Sequence, residues 1–130
     1  MKIVIAPDSF KGSLSAEEAV AAMKRGVEAI FPDTETVAVP VADGGEGTAA
    51  VMLNAYGGEV KTAQTVDALG RERQGEFTWI PARRMVVLDT AEACGIMYIS
   101  MLERNIMESN TEGVGMLLKA ALDLEPETIC

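Results

Sequence analysis

The sequence predicts an α/β protein, with a parallel β-α-β-α start followed by a mixed α/β second domain. Three observations predict it. Two apolar, β-branched runs at 2–6 and 35–41 enclose a segment of helical periodicity. The second run ends in Asp43-Gly44-Gly45-Glu46-Gly47-Thr48 and passes straight into another helical segment. After Gly57-Gly58 come three strand-like runs with no helix-length segment between them.

The first strand, 2–6, is cut by Pro7-Asp8, well short of a signal sequence or membrane span. Ser15-Ala16-Glu17-Glu18 has capping-box spacing, in which the serine caps backbone N–H groups and the glutamate reaches back. Ala16, Val20, Met23, Val27 and Ile30 then form one apolar helical stripe, and Phe31-Pro32-Asp33 ends the helix. A second strand at 35–41 and the helix after the glycine loop complete a Rossmann- or flavodoxin-like order. Runs at 59–66, 74–80 and 85–88 predict antiparallel strands, with Arg71, Arg73, Arg83 and Arg84 as hairpin-tip charges. The domains are therefore drawn as 1–58 and 59–130. Residues 90–101 fit neither helix nor strand cleanly. Ser109-Asn110-Thr111-Glu112 has the spacing of a second capping box, before an apolar stripe of Val114, Leu117, Leu118, Ala121 and Leu122. Thr128-Ile129-Cys130 opens what reads as a further strand, so the chain is expected to be a piece of something longer. A cut strand edge predicts self-association of such a piece.

Composition removes several functions. The 130 residues carry a net charge of −9, which disfavours nucleic acid and anionic membranes as partners. With no histidine, Ser–His and Cys–His nucleophile pairs and His-ligated metal centres are excluded, leaving proton transfer to carboxylates or lysine. Cys94 and Cys130 form no CxxC pair, which predicts a reduced, cytoplasmic chain.

Two loops carry the chemistry. Each follows a strand at its carboxyl end, where α/β proteins bind phosphates and small anions, and in a parallel sheet the two lie side by side. In the first, Lys11 is a cation able to neutralise a carboxylate or a transferring phosphoryl group, and Asp8 can accept a hydroxyl proton or hold Mg²⁺. An Asx-type turn with a surface lysine is the plainer alternative. In the second, Gly45-Glu46-Gly47-Thr48-Ala49-Ala50 matches G-x-G-x-x-A, with Asp67 placed as a dinucleotide-binding acid would be. Electrostatics opposes that reading. Asp43 and Glu46 would each face a pyrophosphate at a cost of about 3 kcal/mol, taking ~5 Å and an effective dielectric of 20. Mg²⁺ between carboxylate and phosphate, or the hydroxyl groups of a polyol acid, removes the conflict. A tight turn with two solvated acids remains the alternative.

The stretches Met1-Lys2-Ile3-Val4-Ile5-Ala6-Pro7-Asp8-Ser9-Phe10-Lys11-Gly12-Ser13-Leu14-Ser15 and Val41-Ala42-Asp43-Gly44-Gly45-Glu46-Gly47-Thr48 closely resemble the bacterial glycerate kinases. The hallmarks of that family are A-P-D-S-F-K-x-S-L and A-D-G-G-E-G-T. The likeness continues through Leu69-Gly70, 90–95 and 109–115. It departs at Ile106 and at Ala68, where the family usually has proline, and a glycine-rich G-G-S-A-T-N-D-G segment expected after Cys130 is not present. The resemblance implies ATP-dependent, Mg²⁺-assisted phosphorylation of D-glycerate, leaning towards the 2-position, in a two-domain α/β protein with an interdomain site. Asp8 and Lys11 match the first motif, and their chemistry assigns them the catalytic roles. Ser9, Asp43, Gly44, Gly45, Glu46, Gly47 and Thr48 would bind substrate or phosphate, with Asp43 or Glu46 as a Mg²⁺ ligand. The chain then reads as the N-terminal third of a glycerate kinase, inactive alone. A non-catalytic α/β piece, or a small-anion or dinucleotide module, is the competing reading.

Overall fold

Two β-branched segments pair in parallel to begin the fold: β1 (Lys2–Ile5) and β2 (Glu35–Ala38), in the register Lys2 to Glu35 through Ile5 to Ala38. The computed structural model describes residues 1–130, and their contacts separate Met1–Gly47 from Thr48–Cys130. In the first unit, α1 (Ala16–Ile30) makes the crossover that parallel pairing requires. Its predicted capping box forms in full: the Glu18 amide donates to Ser15 Oγ (3.2 Å) and the Ser15 amide to Glu18 Oε2 (2.8 Å). The stripe is only half covered. Ala16, Ala19 and Val20 are buried, whereas Met23 and Ile30 are exposed along an open apolar groove of about 690 Å³ shared with residues 4–7 of the β1 end. A sheet of two strands is too narrow to cover a four-turn helix.

The second unit is built on a sheet in the order β3 (Glu59–Val66), β4 (Glu72–Ile80), β5 (Met85–Val87) and β6 (Thr128–Ile129). The first two pairings are antiparallel, as the absence of intervening helices predicts, and β5 pairs with β6 in parallel. Each face has a helix. Phe77 and Val86 pack with Ala121 of α4 (Glu112–Leu122), while Ile80, Met85 and Val87 pack with Ala49 and Met52 of α2 (Thr48–Tyr56). β5 is therefore buried on both sides, which explains its unbroken apolar run. The sequence reading counted α2 with the parallel unit. Its apolar side chains instead meet β4 and β5, because period-2 alternation along those strands offers a second apolar face.

Residues 90–101, ambiguous in sequence, contain a one-turn helix, α3 (Ala91–Cys94), and a 3-10 turn at Ile96–Tyr98. The second capping box does not form. The Ser109 hydroxyl donates back to the Asn105 carbonyl, Asn110 Oδ1 receives the Glu112 amide (2.9 Å), and the N-cap is Thr111, whose side chain makes no cap bond.

Two of the expected hairpin-tip arginines do more than decorate a turn. Asp67 receives the Leu69 amide (2.8 Å), the Arg71 amide (3.0 Å) and Arg71 Nε (2.6 Å) across the β3–β4 turn. Burial alone would raise the Asp67 carboxyl, but these donors and the guanidinium charge hold it below the usual carboxylate value. Arg71 also reaches Glu103 (2.9 Å) and the Tyr98 carbonyl (3.1 Å), and Arg73 stacks on the Tyr98 ring at 3.6 Å. The hairpin thereby fastens the 96–103 segment. No helix is long and apolar enough to cross a membrane.

Candidate active site

Both motif loops leave the carboxyl end of the β1–β2 pair. Beyond the strands proper, the Val39 amide donates to the Ile5 carbonyl (2.9 Å) and the Val41 amide to the Pro7 carbonyl (3.2 Å). Those two bonds carry the parallel register up to the residues that open each loop. Asp8 and Asp43 thus begin neighbouring turns although 35 positions separate them in the sequence (43 − 8).

Each turn is organised by its own aspartate. Asp8 Oδ1 accepts the Ser9 amide (2.6 Å), and a tight bridge between Phe10 and Leu14 closes the loop, with Gly12 at φ +75°. Asp43 Oδ1 accepts the Gly45 amide (3.0 Å), an Asx turn that Gly44 completes at φ +96°. Asp8 and Ser9 are half-buried. Lys11, Asp43, Gly44, Gly45 and Glu46 are exposed. The structure therefore brings together Asp8, Ser9, Asp43 and the glycines on one end of the first unit. Thr48 opens α2 and belongs to the second unit.

No group of three or more Asp, Glu, Cys or His side chains forms a metal cage. Mg²⁺ does not need one, since it is commonly held by one or two carboxylates together with substrate phosphates and water. Exposed Asp43 and Glu46 and half-buried Asp8 fit that mode of binding, whereas a Ca²⁺-type all-protein shell does not fit. The dinucleotide reading loses its acid: the Asp67 carboxylate is committed to its turn and to Arg71.

Sequence reasoning missed Asp89. It follows β5, is buried, and accepts the Ala49 amide in the first turn of α2 at 3.1 Å. An acid directly after an apolar strand was the available signal, the same one that singled out Asp8 and Asp43. Beside it lies Glu92 of α3. Burial raises the Glu92 carboxyl above its usual value, with the charges of Glu76 and Asp89 adding to it; the Glu76 backbone bond and Arg73 only partly offset this. A carboxyl raised on folding favours the folded state below its unfolded pKa, and that advantage is lost as pH rises through the folded value. Glu92→Gln is therefore expected to melt higher than the wild type at pH 7. The difference should vanish at pH 4, and equal melting temperatures at both pH values would count against the desolvated carboxylate.

A family model described as the glycerate kinase family matches residues 3–130, and the chain belongs to that family. It is 40% identical over 129 residues to the glycerate kinase of Bacillus subtilis (strain 168), covering 99% of this chain and 34% of that relative. Identity with the glycerate 2-kinase of Escherichia coli (strain K12) is 38% over 123 residues, covering 95% and 32% respectively. A crystal structure from Salmonella typhimurium LT2, provisionally designated glycerate kinase 2, superposes with a TM-score of 0.73 at 36% identity. It covers 99% of this chain and 35% of that one. The chain spans about a third of the length of these relatives.

Proposed function

We propose that a full-length protein containing this chain transfers the γ-phosphoryl group of ATP to a hydroxyl of D-glycerate with Mg²⁺, in the cytoplasm, giving 2-phosphoglycerate. The supporting observation is the pairing of the two family motifs at one end of β1–β2, carried by the Val41 to Pro7 hydrogen bond, in a chain of this family. The 2-position follows the Escherichia coli relative.

In this reading the glycerate hydroxyl oxygen attacks the γ-phosphorus and the bond to the β–γ bridging oxygen breaks, releasing ADP. The hydroxyl proton passes to Asp8, the half-buried acid beside the Ser9 amide. Lys11 balances the charge of the glycerate carboxylate or of the phosphoryl oxygens in flight. Asp43, with one oxygen fixed by Gly45, presents the other to a hydroxyl or to the cation, and Glu46 does the same from the loop tip. Bound Mg²⁺ would neutralise phosphate charge that these acids otherwise repel. Gly44, Gly45 and Gly47 leave the backbone bare, so that a small substrate approaches it closely.

The test is ADP release by the full-length gene product with ATP, Mg²⁺ and D-glycerate, with the product's phosphate position read by phosphorus NMR. No glycerate-dependent release would overturn the proposal. Asp43→Asn and Glu46→Gln should keep the fold and lose activity at least tenfold. A metal ligand among them shows as a raised Mg²⁺ requirement, and a hydroxyl partner as a raised glycerate KM. Full activity in both variants would leave the loop as a solvated turn.

A further inference from the structure

The 94–111 segment of the second unit folds around a cavity of about 360 Å³, at the small end of the range for ligand pockets. Its apolar lining comes from Ala68, Ile96, Ile99 and Ile106. Ala68 and Ile99 are buried, whereas Ile96 and Ile106 are exposed at its mouth. Bonds within the protein hold the walls in place. The Asn110 amide donates to the Ala68 carbonyl (3.0 Å), and Arg71 grips the Tyr98 carbonyl and Glu103.

The polar rim offers donors. Asn105 Oδ1 accepts the Met107 amide (3.1 Å) and Asn110 Oδ1 accepts the Glu112 amide. Both side chains are left with their Nδ2 donors. Arg104 is the one charged residue that lines the cavity. Its Nε and one terminal nitrogen reach only the Ile99 and Ile96 carbonyls, at 3.4 and 3.5 Å, the long limit for a hydrogen bond. It takes part in none of the chain's ion pairs, and its neighbour Glu103 is turned to Arg71 instead (2.9 Å).

We propose that this cavity binds a small monocarboxylate with an apolar body, its carboxylate on Arg104 and its carbon skeleton against the isoleucines. A guanidinium fork matches a carboxylate in two parallel bonds. One lining charge, in a chain of net charge −9, favours a monoanion over the dianion of a phosphate ester. At ~30 Å³ per non-hydrogen atom, the share of one liquid water, 360 Å³ holds about twelve of them. D-glycerate has no apolar body, so this ligand differs from the proposed substrate. Every lining residue lies within Thr48–Cys130, and the site is independent of the phosphoryl-transfer reading.

The test is a titration of the full-length protein, labelled at its isoleucine methyl groups, with benzoate followed by NMR. Benzoate should shift the Ile96, Ile99 and Ile106 methyls saturably and leave Ile30, in the apolar groove of the first unit, unmoved. Benzamide, which keeps the ring and loses the charge, should bind at least tenfold more weakly. Acetate and D-glycerate, which keep the charge and lose the ring, should do the same. Arg104→Ala should weaken benzoate at least tenfold. Lys119→Ala, which removes an exposed cation from the last turn of α4, should stay within twofold of wild type. Ile106→Asp, a change at an exposed position that sets a like charge at the mouth, should weaken benzoate at least tenfold as well. Non-saturating shifts, equal binding of benzoate and benzamide, or D-glycerate binding as tightly as benzoate would each overturn the inference. So would equal losses in Arg104→Ala and Lys119→Ala, which mark a general charge effect.

Discussion

Replacing Lys11 by alanine in the full-length protein should lower kcat/KM for glycerate by about 30- to 900-fold and leave the melting temperature nearly unchanged. That range corresponds to on the order of 2–4 kcal/mol of transition-state stabilisation, the usual worth of a charge-assisted contact to a developing anion. Lys11 is the cation of a loop that also carries Asp8 and runs beside the loop of Asp43 and Glu46. Its exposure means that little packing is lost with it. Removing an exposed side chain costs folding a few tenths of a kcal/mol, within the ±0.5 typical of surface changes. The two readouts therefore separate. Activity within threefold of wild type would make Lys11 a surface lysine. A parallel loss of stability would mean that the Phe10–Leu14 turn depends on it.

Local signals proved legible wherever they were self-contained. The Ser15–Glu18 box forms because both partners lie within four residues and nothing tertiary competes. The parallel register of β1 and β2, and hence the meeting of the two motif loops, follows from a single crossover helix between two apolar runs. Signals that depend on distant partners were not legible. The identity of the sheet that α2 covers is decided by Ile80, Met85 and Val87, all of which come later in the chain. Asp89 shows in sequence only as an acid after an apolar run, and its partner is known once the fold sets it against Ala49, 40 positions earlier. Arg71 reads as a solvated turn residue until Glu103 and the Tyr98 carbonyl, 32 and 27 positions later, fold back onto it. The second capping box failed for a local reason: Asn110 Oδ1 takes the Glu112 amide that Ser109 Oγ would have accepted, and the helix starts only at Glu112.

The largest effect on stability is expected at Gly113. It sits in the first turn of α4, buried, where the helix comes down on the end of β3. A β-carbon there would overlap the Val66 carbonyl oxygen, press on Thr65 Oγ1 at 2.7 Å and meet the Ala93 side chain at 3.0 Å. The first of these is backbone of a paired strand and cannot swing away. Gly113→Ala must then lift α4 from the sheet, because no rotamer change relieves the overlap. Lifting it breaks the buried bond from the Thr65 hydroxyl to the Gly113 carbonyl, now 2.7 Å. Overpacking costs typically 1–3 kcal/mol, and a buried donor left unpaired costs about 1–3 more. The helix propensity gained by replacing glycine, about 1 kcal/mol, is too small to offset them. The net loss is on the order of 1–5 kcal/mol, read as a fall in the urea midpoint of the second unit. Gly115, two residues along the same helix, is the control: a β-carbon there meets nothing within 4 Å, so Gly115→Ala should be neutral or slightly stabilising. Equal midpoints for Gly113→Ala and Gly115→Ala would show that α4 does not approach β3 as closely as the Thr65 bond requires.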